Sequence, residues 1–269
     1  RIRPNVVHTH RQKENILGSV ASALVRGKSI RTVHGASEWA FPPWMIHKRI
    51  YSLLDRLCGR YLQKKIVAVS AQLAQSLTHT FPAKTLCAVE NGIDLQEITT
   101  QSTETIDLPG PKHRTNIALV GRLVPVKRHD LFLKVARLSS SMNSLSANFY
   151  IFGDGPLESE IRSKIEEYGL TTCMFMMGFK ANMPAYMAHM DLLLITSDHE
   201  GLPMNLLEAL CLRVPVISHA TGGIPAVLND GEYGTLLDTQ DPAGYVKAIQ
   251  SYTQDAARYK KMADGGYQY

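Results

Sequence analysis

Short apolar, β-branched runs alternate with longer stretches of helical periodicity throughout this 269-residue chain. No other feature constrains the fold as much. Residues 6–8, 30–34, 66–69 and 86–89 read as strands, with helices over 14–25, 44–64 and 71–79 between them. The rhythm resumes with strands at 117–120, 149–152, 174–177, 192–195, 214–217 and 235–237. Neighbouring parallel strands need a long crossover, usually a helix, so this alternation implies parallel sheets covered on both faces. The expected class is α/β, with two doubly wound, Rossmann-like units. Between the two series, residues 97–113 are rich in threonine and punctuated by Pro109, Gly110 and Pro111, with no period. They read as the linker, which divides the chain into residues 1–108 and 109–269. Open α/β sheets hold ligands outside the carboxyl ends of their strands, so function is sought there.

Apolar residues make up 45% and charged residues 20% of the chain, which excludes disordered and fibrous classes. Cys58, Cys87, Cys173 and Cys211 lie far apart without metal-ligand spacing, as expected of a reduced, cytosolic protein. No apolar run approaches the roughly 18 residues needed to span a bilayer, and the chain reads as soluble. It opens on Arg1 and passes almost at once into the strand at Val6 and Val7, as though upstream strands were missing. A fragment is expected.

Charge is uneven. Residues 1–111 carry 14 Lys/Arg against 8 Asp/Glu, whereas residues 112–269 carry 15 against 16. The first part is therefore a candidate for meeting something anionic. Residues 44–65 mix helical apolar spacing with six basic residues and one acid. Such a helix could lie on an anionic membrane. The alternative, a core-facing helix with a solvated basic face, is preferred because amphipathic helices usually serve the core. No nucleic-acid partner is expected.

Two constellations carry candidate chemistry. After the strand at 117–120 comes Gly121-Arg122-Leu123-Val124-Pro125-Val126-Lys127-Arg128, at the start of a helical stretch. A helix start already favours anions, so Arg122, Lys127 and Arg128 crowd it unfavourably unless an anion such as pyrophosphate sits among them. After the strand at 192–195 comes Glu200-Gly201-Leu202-Pro203 and then a helix holding Glu208. Pro203 suits the first helical position. Glu208 falls among leucines, where a poorly solvated carboxylate needs a partner: an ion pair, or the vicinal hydroxyls of a ribose. Gly153-Asp154-Gly155-Pro156 and Gly222-Gly223-Ile224-Pro225 are further turns at the same expected sheet edges, where glycine permits close backbone approach.

Taken together, these motifs resemble glycosyltransferase family 4, the retaining glycosyltransferases of GT-B architecture. The likeness rests on Gly121-Arg122-Leu123, Lys127, the Gly153 turn, Glu200 and Glu208 eight residues apart, Pro215-Val216-Ile217 and the Gly222 turn. It extends to Val6-Val7-His8-Thr9-His10, Thr32-Val33-His34-Gly35, Val69-Ser70 and Asn91-Gly92-Ile93-Asp94.

The resemblance implies two Rossmann-like domains facing across a cleft, with the first, acceptor-side domain incomplete and the second binding the donor. It implies a nucleotide-diphosphate sugar donor, by default a UDP-sugar, which is a substrate; no cofactor and no metal are expected. The implied catalytic set is His34, Arg122, Lys127 and Glu200. The implied donor contacts are Gly121, Arg122, Lys127, Gly153, Phe179, Glu200, Gly201, Leu202, Pro203 and Glu208, with Glu208 on the ribose and Phe179 beside the base. The acceptor would be a glycan or a lipid-linked sugar in cell-surface polysaccharide synthesis, used in the cytoplasm at the inner face of the membrane.

There are departures from the family pattern. Ala226 stands where glutamate is common, and Arg128 where a glycine often follows the lysine. The opening strand and glycine-rich loop are not in the chain, and the terminal helix is shortened at Tyr269. A non-catalytic nucleotide-sugar-binding fragment and a nucleotide-sugar epimerase of similar architecture are the competing readings. The epimerase would require acid and base residues in addition to a diphosphate site.

Overall fold

Among the residues described by the computed structural model, 4–35, 46–142 and 145–268, ten strands form two all-parallel sheets. Contacts divide the chain into two units: Arg1–Asn91 with His199–Leu202, and Gly92–Asp198 with Pro203–Tyr269.

The first unit runs β1 (Val6–Thr9), α1 (Gln12–Leu24), β2 (Lys28–Val33), α2 (Ile46–Tyr61), β3 (Lys65–Ala68), α3 (Ala71–Leu77) and β4 (Leu86–Ala88). Its strands lie in the order β1-β2-β3-β4. The second runs α4 (Leu95–Ser102), β5 (Thr115–Val120), α5 (His129–Ser140), β6 (Ala147–Phe152), α6 (Glu158–Glu167), β7 (Met174–Gly178), α7 (Met183–Met187), β8 (Leu192–Ile195), α8 (Met204–Cys211), β9 (Val216–His219), α9 (Ile224–Val227), β10 (Thr235–Leu237), α10 (Pro242–Gln254) and α11 (Ala256–Tyr267). Its order is β10-β9-β8-β5-β6-β7, so β5 and β8 are central.

The second unit owes its stability to a continuous apolar interior. Every residue of β6 and of β8 is buried, as expected for strands covered on both faces. Phe132 of α5 meets Phe149 of β6 edge to face at 5.6 Å, a geometry that adds about 0.5–1.5 kcal/mol beyond area burial.

The boundary between the units differs from the expected one at 108/109 and falls after Asn91. The first residues of the expected linker form α4, which packs on α7 and α8. Polar residues hid this helix because they satisfy one another locally. The Asp94 carboxylate accepts from the Gln96 and Glu97 amides, and the Thr99 and Thr100 hydroxyls donate to carbonyls one turn back.

The first unit is built around polar burial. Arg31 of β2 donates to Asp55 of α2 at 2.7 Å, both side chains wholly buried. The guanidinium also lies 4.5 Å from the centre of the Phe81 ring. Gly59 leaves room for this stack, since a Cβ there would lie 2.5 Å from the ring and 2.8 Å from the guanidinium.

The inward stripe of α2 is thus Ser52, Asp55, Cys58 and Gly59, while Ile50, Leu53, Leu54 and Leu57 are exposed. This overturns the expectation that the helix turns its apolar face to the core: the buried Arg31 demands the acid, and the acid fixes which way the helix faces. Trp44 and Met45, at the start of the expected helix, lie outside the described residues. In the same way α1 buries Asn15, Ser19 and Ser22 and exposes Leu17, Val20 and Leu24. Among the described residues no helix is long and apolar enough to cross a membrane.

Removing the carboxylate would leave a buried guanidinium short of its counter-charge, a change that costs on the order of 3–5 kcal/mol. The Asp55→Ala variant is expected to lose stability on that scale, measured as the shift in the urea unfolding midpoint. A loss below about 1 kcal/mol, the value of an exposed pair, would contradict this account of the first unit.

Candidate functional site

In the second unit the candidate residues gather where β5, β6 and β8 end. Two loops lock together there through their backbones. The Gly121 amide donates to the Phe152 carbonyl at 2.9 Å, Leu123 to Asp154 at 2.8 Å, and Leu157 back to Leu123 at 3.1 Å. Gly153 has φ of 131°, and a Cβ on it would lie 2.0 Å from the Gly121 carbonyl oxygen. Only glycine can occupy that position. The Gly153 amide also donates to Gly178 at 2.9 Å, which brings Phe179, 69% exposed, to the neighbouring loop.

Lys127 closes the short 3-10 turn Pro125–Lys127, and its side chain folds over Gly121. A Cβ on that glycine would meet Lys127 Cε at 3.1 Å and Nζ at 3.6 Å. The turn is held from beneath. Thr196 Oγ1 donates to the Lys127 carbonyl at 2.8 Å, and the Asp198 amide donates to Val126 at 2.9 Å. Arg122, beside them, is exposed, and among the described residues its side chain meets no acid.

Arg128 departs from the expectation that all three cations await an anion. Its φ of 53° and ψ of 49° are left-handed, the backbone state that glycine adopts freely. Its guanidinium donates to Asp130 and Asp198 at 2.9 Å and to Gln240 at 2.6 Å. These bonds raise its pKa further. Burial alone would raise the Asp130 carboxyl, yet its bonds to Arg128 hold it below its ordinary range. Arg128 is therefore a brace, and Arg122 and Lys127 stand beside it at the same edge.

Helix α8 contributes the acid. Pro203, expected as the first helical residue, is the cap one position earlier. Asn205 then donates to the Val120 carbonyl at 2.7 Å, tying the start of α8 to the end of β5. One turn on, Glu208 is half-buried, and burial raises its pKa. No donor or cation meets its carboxylate among the described residues, so the buried ion pair considered from sequence does not form there.

In the first unit a second cluster stands at the carboxyl ends of β1 and β2. His10 Nδ1 and His34 Nε2 are 3.0 Å apart, His8 and His10 pack with ring centres 4.4 Å apart, and His8 Nε2 meets Thr32 Oγ1 at 2.8 Å. Burial, then the neighbouring His10 and His8, lowers the His34 pKa. The His10 and His34 rings stack at 27° and those of His8 and His10 are tilted at 36°, and among the described residues no three potential ligands are grouped for a metal ion.

The loop His199–Leu202 belongs to this unit by its contacts. A Cβ on Gly201 would lie 2.1 Å from the His34 carbonyl oxygen, and Asn91 donates to the Leu202 carbonyl at 2.8 Å. His34, Glu200, Gly201 and Leu202 are thus grouped in one unit, and Gly121, Arg122, Lys127, Gly153, Phe179, Pro203 and Glu208 in the other.

In sequence His10 stood out only within the Val6–His10 motif and was given no role, and Asn205, Thr196 and His129 were overlooked. For His10 the signal was present, because alternate residues of a strand share a face.

Residues 103–269 match the glycosyl transferases group 1 family, and residues 1–97 match the glycosyltransferase family 4 domain. One relative, the 2-deoxystreptamine N-acetyl-D-glucosaminyltransferase of Streptomyces fradiae, is 25% identical over 96% of this chain and 65% of its own length. Another, the UDP-Gal:alpha-D-GlcNAc-diphosphoundecaprenol alpha-1,3-galactosyltransferase of Escherichia coli, is 25% identical over 93% of this chain and 67% of its own. The chain thus spans about two thirds of the length of these relatives. Among solved structures, Anabaena Alr3699/HepE in complex with UDP-glucose superposes with a TM-score of 0.82 at 17% identity, over 98% of this chain and 73% of that one. Staphylococcus aureus TarM does so at 0.76 and 16%, over 98% and 50%. The fold is GT-B, two parallel-sheet α/β domains, as the sequence resemblance implied.

His129, the first residue of α5, is 2% exposed, and burial, then the nearby Lys127 cation, pushes its pKa down to about 4. Its folded pKa lies below its unfolded one, so the unfolded chain binds the extra proton first. This contribution is present above pH 6.5 and is lost as the pH falls toward 4, a span worth about 3 kcal/mol. Unfolding free energies measured across that range are expected to slope less in His129→Gln than in the parent. An unchanged slope would mean that another group controls the acid limb.

Proposed function

Because this chain belongs to the group 1 glycosyl transferases, we propose that it transfers a sugar from a nucleotide-diphosphate donor, a UDP-sugar, to a glycan or lipid-linked acceptor in cell-surface polysaccharide synthesis. The observation that carries the reading is the gathering, at one sheet edge, of Arg122 and Lys127 with the half-buried Glu208 carboxylate, which no donor or cation meets among the described residues. Arg122 and Lys127 suit the two phosphates. Glu208 suits the ribose hydroxyls, which supply the donors its carboxylate lacks. Phe179, an exposed ring beside the Gly153 turn, suits stacking on the base. Gly121 and Gly153, without side chains, let the diphosphate approach the backbone, as does the turn at Pro203.

Glu200 and His34 are assigned to the transferred sugar and its surroundings. The close fit of Gly201 on the His34 carbonyl, with Leu202 tied to Asn91, supports grouping them around one substrate portion. Transfer is assigned as retaining. The acceptor oxygen bonds to the anomeric carbon on the face from which the diphosphate departs. The bond from that carbon to the phosphate oxygen breaks, its electron pair leaves with the phosphate, and the departing phosphate accepts the hydroxyl proton. Charge grows on the diphosphate, so Arg122 and Lys127 act chiefly by stabilising it. The chemistry invokes no metal and no cofactor. The named acceptor of the E. coli relative, a diphosphoundecaprenol-linked sugar, supports a lipid-linked acceptor, and its use on the cytoplasmic side of a membrane is part of the proposal.

Arg122→Ala and Lys127→Ala are each expected to lower kcat/KM with a UDP-sugar on the order of a hundredfold, the scale of losing one transition-state donor. Glu208→Ala is expected to weaken UDP binding on the order of tenfold by calorimetry, the scale of a hydrogen bond to a charged group. Near-normal rates in both cation variants would refute the assignment. Tight UDP binding with no sugar transfer or donor hydrolysis would favour a nucleotide-sugar-binding module instead.

A further inference from the structure

We infer that the outward face of α2 is a docking surface for an anionic lipid bilayer. The inward face of this helix is already spoken for, because Asp55 lies in the buried pair with Arg31 and Gly59 lies against that guanidinium and Phe81. What remains outside is a largely apolar face. Ile50, Leu53, Leu54, Leu57, Tyr61 and Leu62 are all exposed, from 37% at Leu62 to 72% at Tyr61. Contiguous exposure of this kind marks an interaction site.

The charge of the face identifies the partner. Asp55 is the sole acid between residues 46 and 65, and it is buried. Arg49, Arg56, Arg60, Lys64 and Lys65 are exposed, so the outward charge of this stretch is all positive. The two kinds of residue interleave: Leu53 and Leu57 alternate along the helix with Arg56 and Arg60. Aliphatic groups set among long cationic side chains suit the boundary between lipid headgroups and acyl chains, where apolar groups sink in and cations reach back to phosphates. A nucleic acid or an acidic polysaccharide would engage the cations and leave the leucines in water.

The surface continues beyond α2. The Lys64 amide donates to the Ser29 carbonyl at 2.8 Å, and Ser29 Oγ donates to the Leu62 carbonyl at 3.4 Å. These bonds hold the end of α2 against the start of β2. The turn leading into β2 exposes Leu24 (82%), Val25 (77%) and Arg26, which repeats the same mixture at the same end of the sheet. The inference does not depend on the donor site, since vesicle binding needs no turnover.

The test is co-sedimentation of the full chain with vesicles of phosphatidylcholine alone and with added phosphatidylglycerol. Parallel samples carry Arg56→Gln with Arg60→Gln, or Leu53→Ser with Leu57→Ser. All four residues are exposed, so both variants are expected to fold, checked by unchanged urea midpoints. Binding is expected to the anionic vesicles and not the neutral ones, to weaken with salt, and to fall on the order of tenfold in each double variant. Absence of binding to anionic vesicles, or equal binding to both kinds, would overturn the inference. Unchanged binding of the serine variant would also overturn it, in favour of a polyanion contact. Self-association abolished by the serine variant, without vesicle binding, would replace the bilayer with a second copy of the chain. UDP affinity measured on the same samples separates failure here from failure of the donor site.

Discussion

Where β5 and β6 end, two backbones approach until no Cβ fits between them, and the geometry of the second unit's candidate site follows from that approach. Gly153 lies against the Gly121 carbonyl, and Leu123 exchanges hydrogen bonds with Asp154 and Leu157 across the same gap. Parallel strands bring their turns to one edge, but they do not by themselves fix how far each turn projects. Here the interlock fixes it, so Gly121 becomes a floor over which Lys127 can lie. Asn205, bonded to Val120, gives α8 the same reference point. A cation and a carboxylate carried on separate elements are thus positioned against a single pair of strand ends, which is the rigid support that a precise constellation requires.

Arg128 shows how a structural cation can be told from a chemical one. As a left-handed residue it bears a strain of about 1–2 kcal/mol. Bonds to Asp130, Asp198 and Gln240 offset that strain. In sequence the three cations looked alike, and the position of Arg128 drew notice only because a glycine often stands there in the family. The backbone state explains both residues: glycine takes it without strain, whereas arginine takes it when braced. The brace reaches the Asp198 end of the loop after β8, so the same side chain that departs from the pattern also orders the turn bearing Lys127.

Most of the architecture was legible because parallel strands buried on both faces leave unbroken apolar runs. Leu192–Ile195 and Thr235–Leu237 have the bounds their composition predicts, and the other strands shift at their ends. Helix orientation was not legible. Periodicity in α2 shows that two faces differ, but which one turns inward depends on Arg31, a residue of a separate strand whose burial no local pattern reveals. Helix α4 was missed for a different reason: threonine and serine lower helix propensity through hydroxyls that compete for backbone groups, and here those hydroxyls bond within the helix itself. At the site, residue types and spacing identified Arg122, Lys127 and Glu208 as candidates, while Asn205 and Thr196, which hold the backbone, carry no signature without the strands they reach.

Glu208 sharpens the connection between folding and binding. A carboxylate withdrawn from water, which no donor meets among the described residues, is a cost the fold bears, and burial raises its pKa. Had a lysine or arginine paired with it, that cost would be relieved in the free protein and little would be left for a ligand to gain. Left without one, the group prefers a proton more than an exposed acid does, and whatever donates hydrogen bonds to its charged form lowers that preference. On the proposed reading the ribose hydroxyls are those donors, so nucleotide binding and deprotonation of Glu208 favour each other. The linkage runs one way: affinity strengthens as the pH rises through the titration of this acid and weakens below it. A site residue placed for stability alone would give the opposite arrangement, with its charge already satisfied and nothing for a ligand to complete.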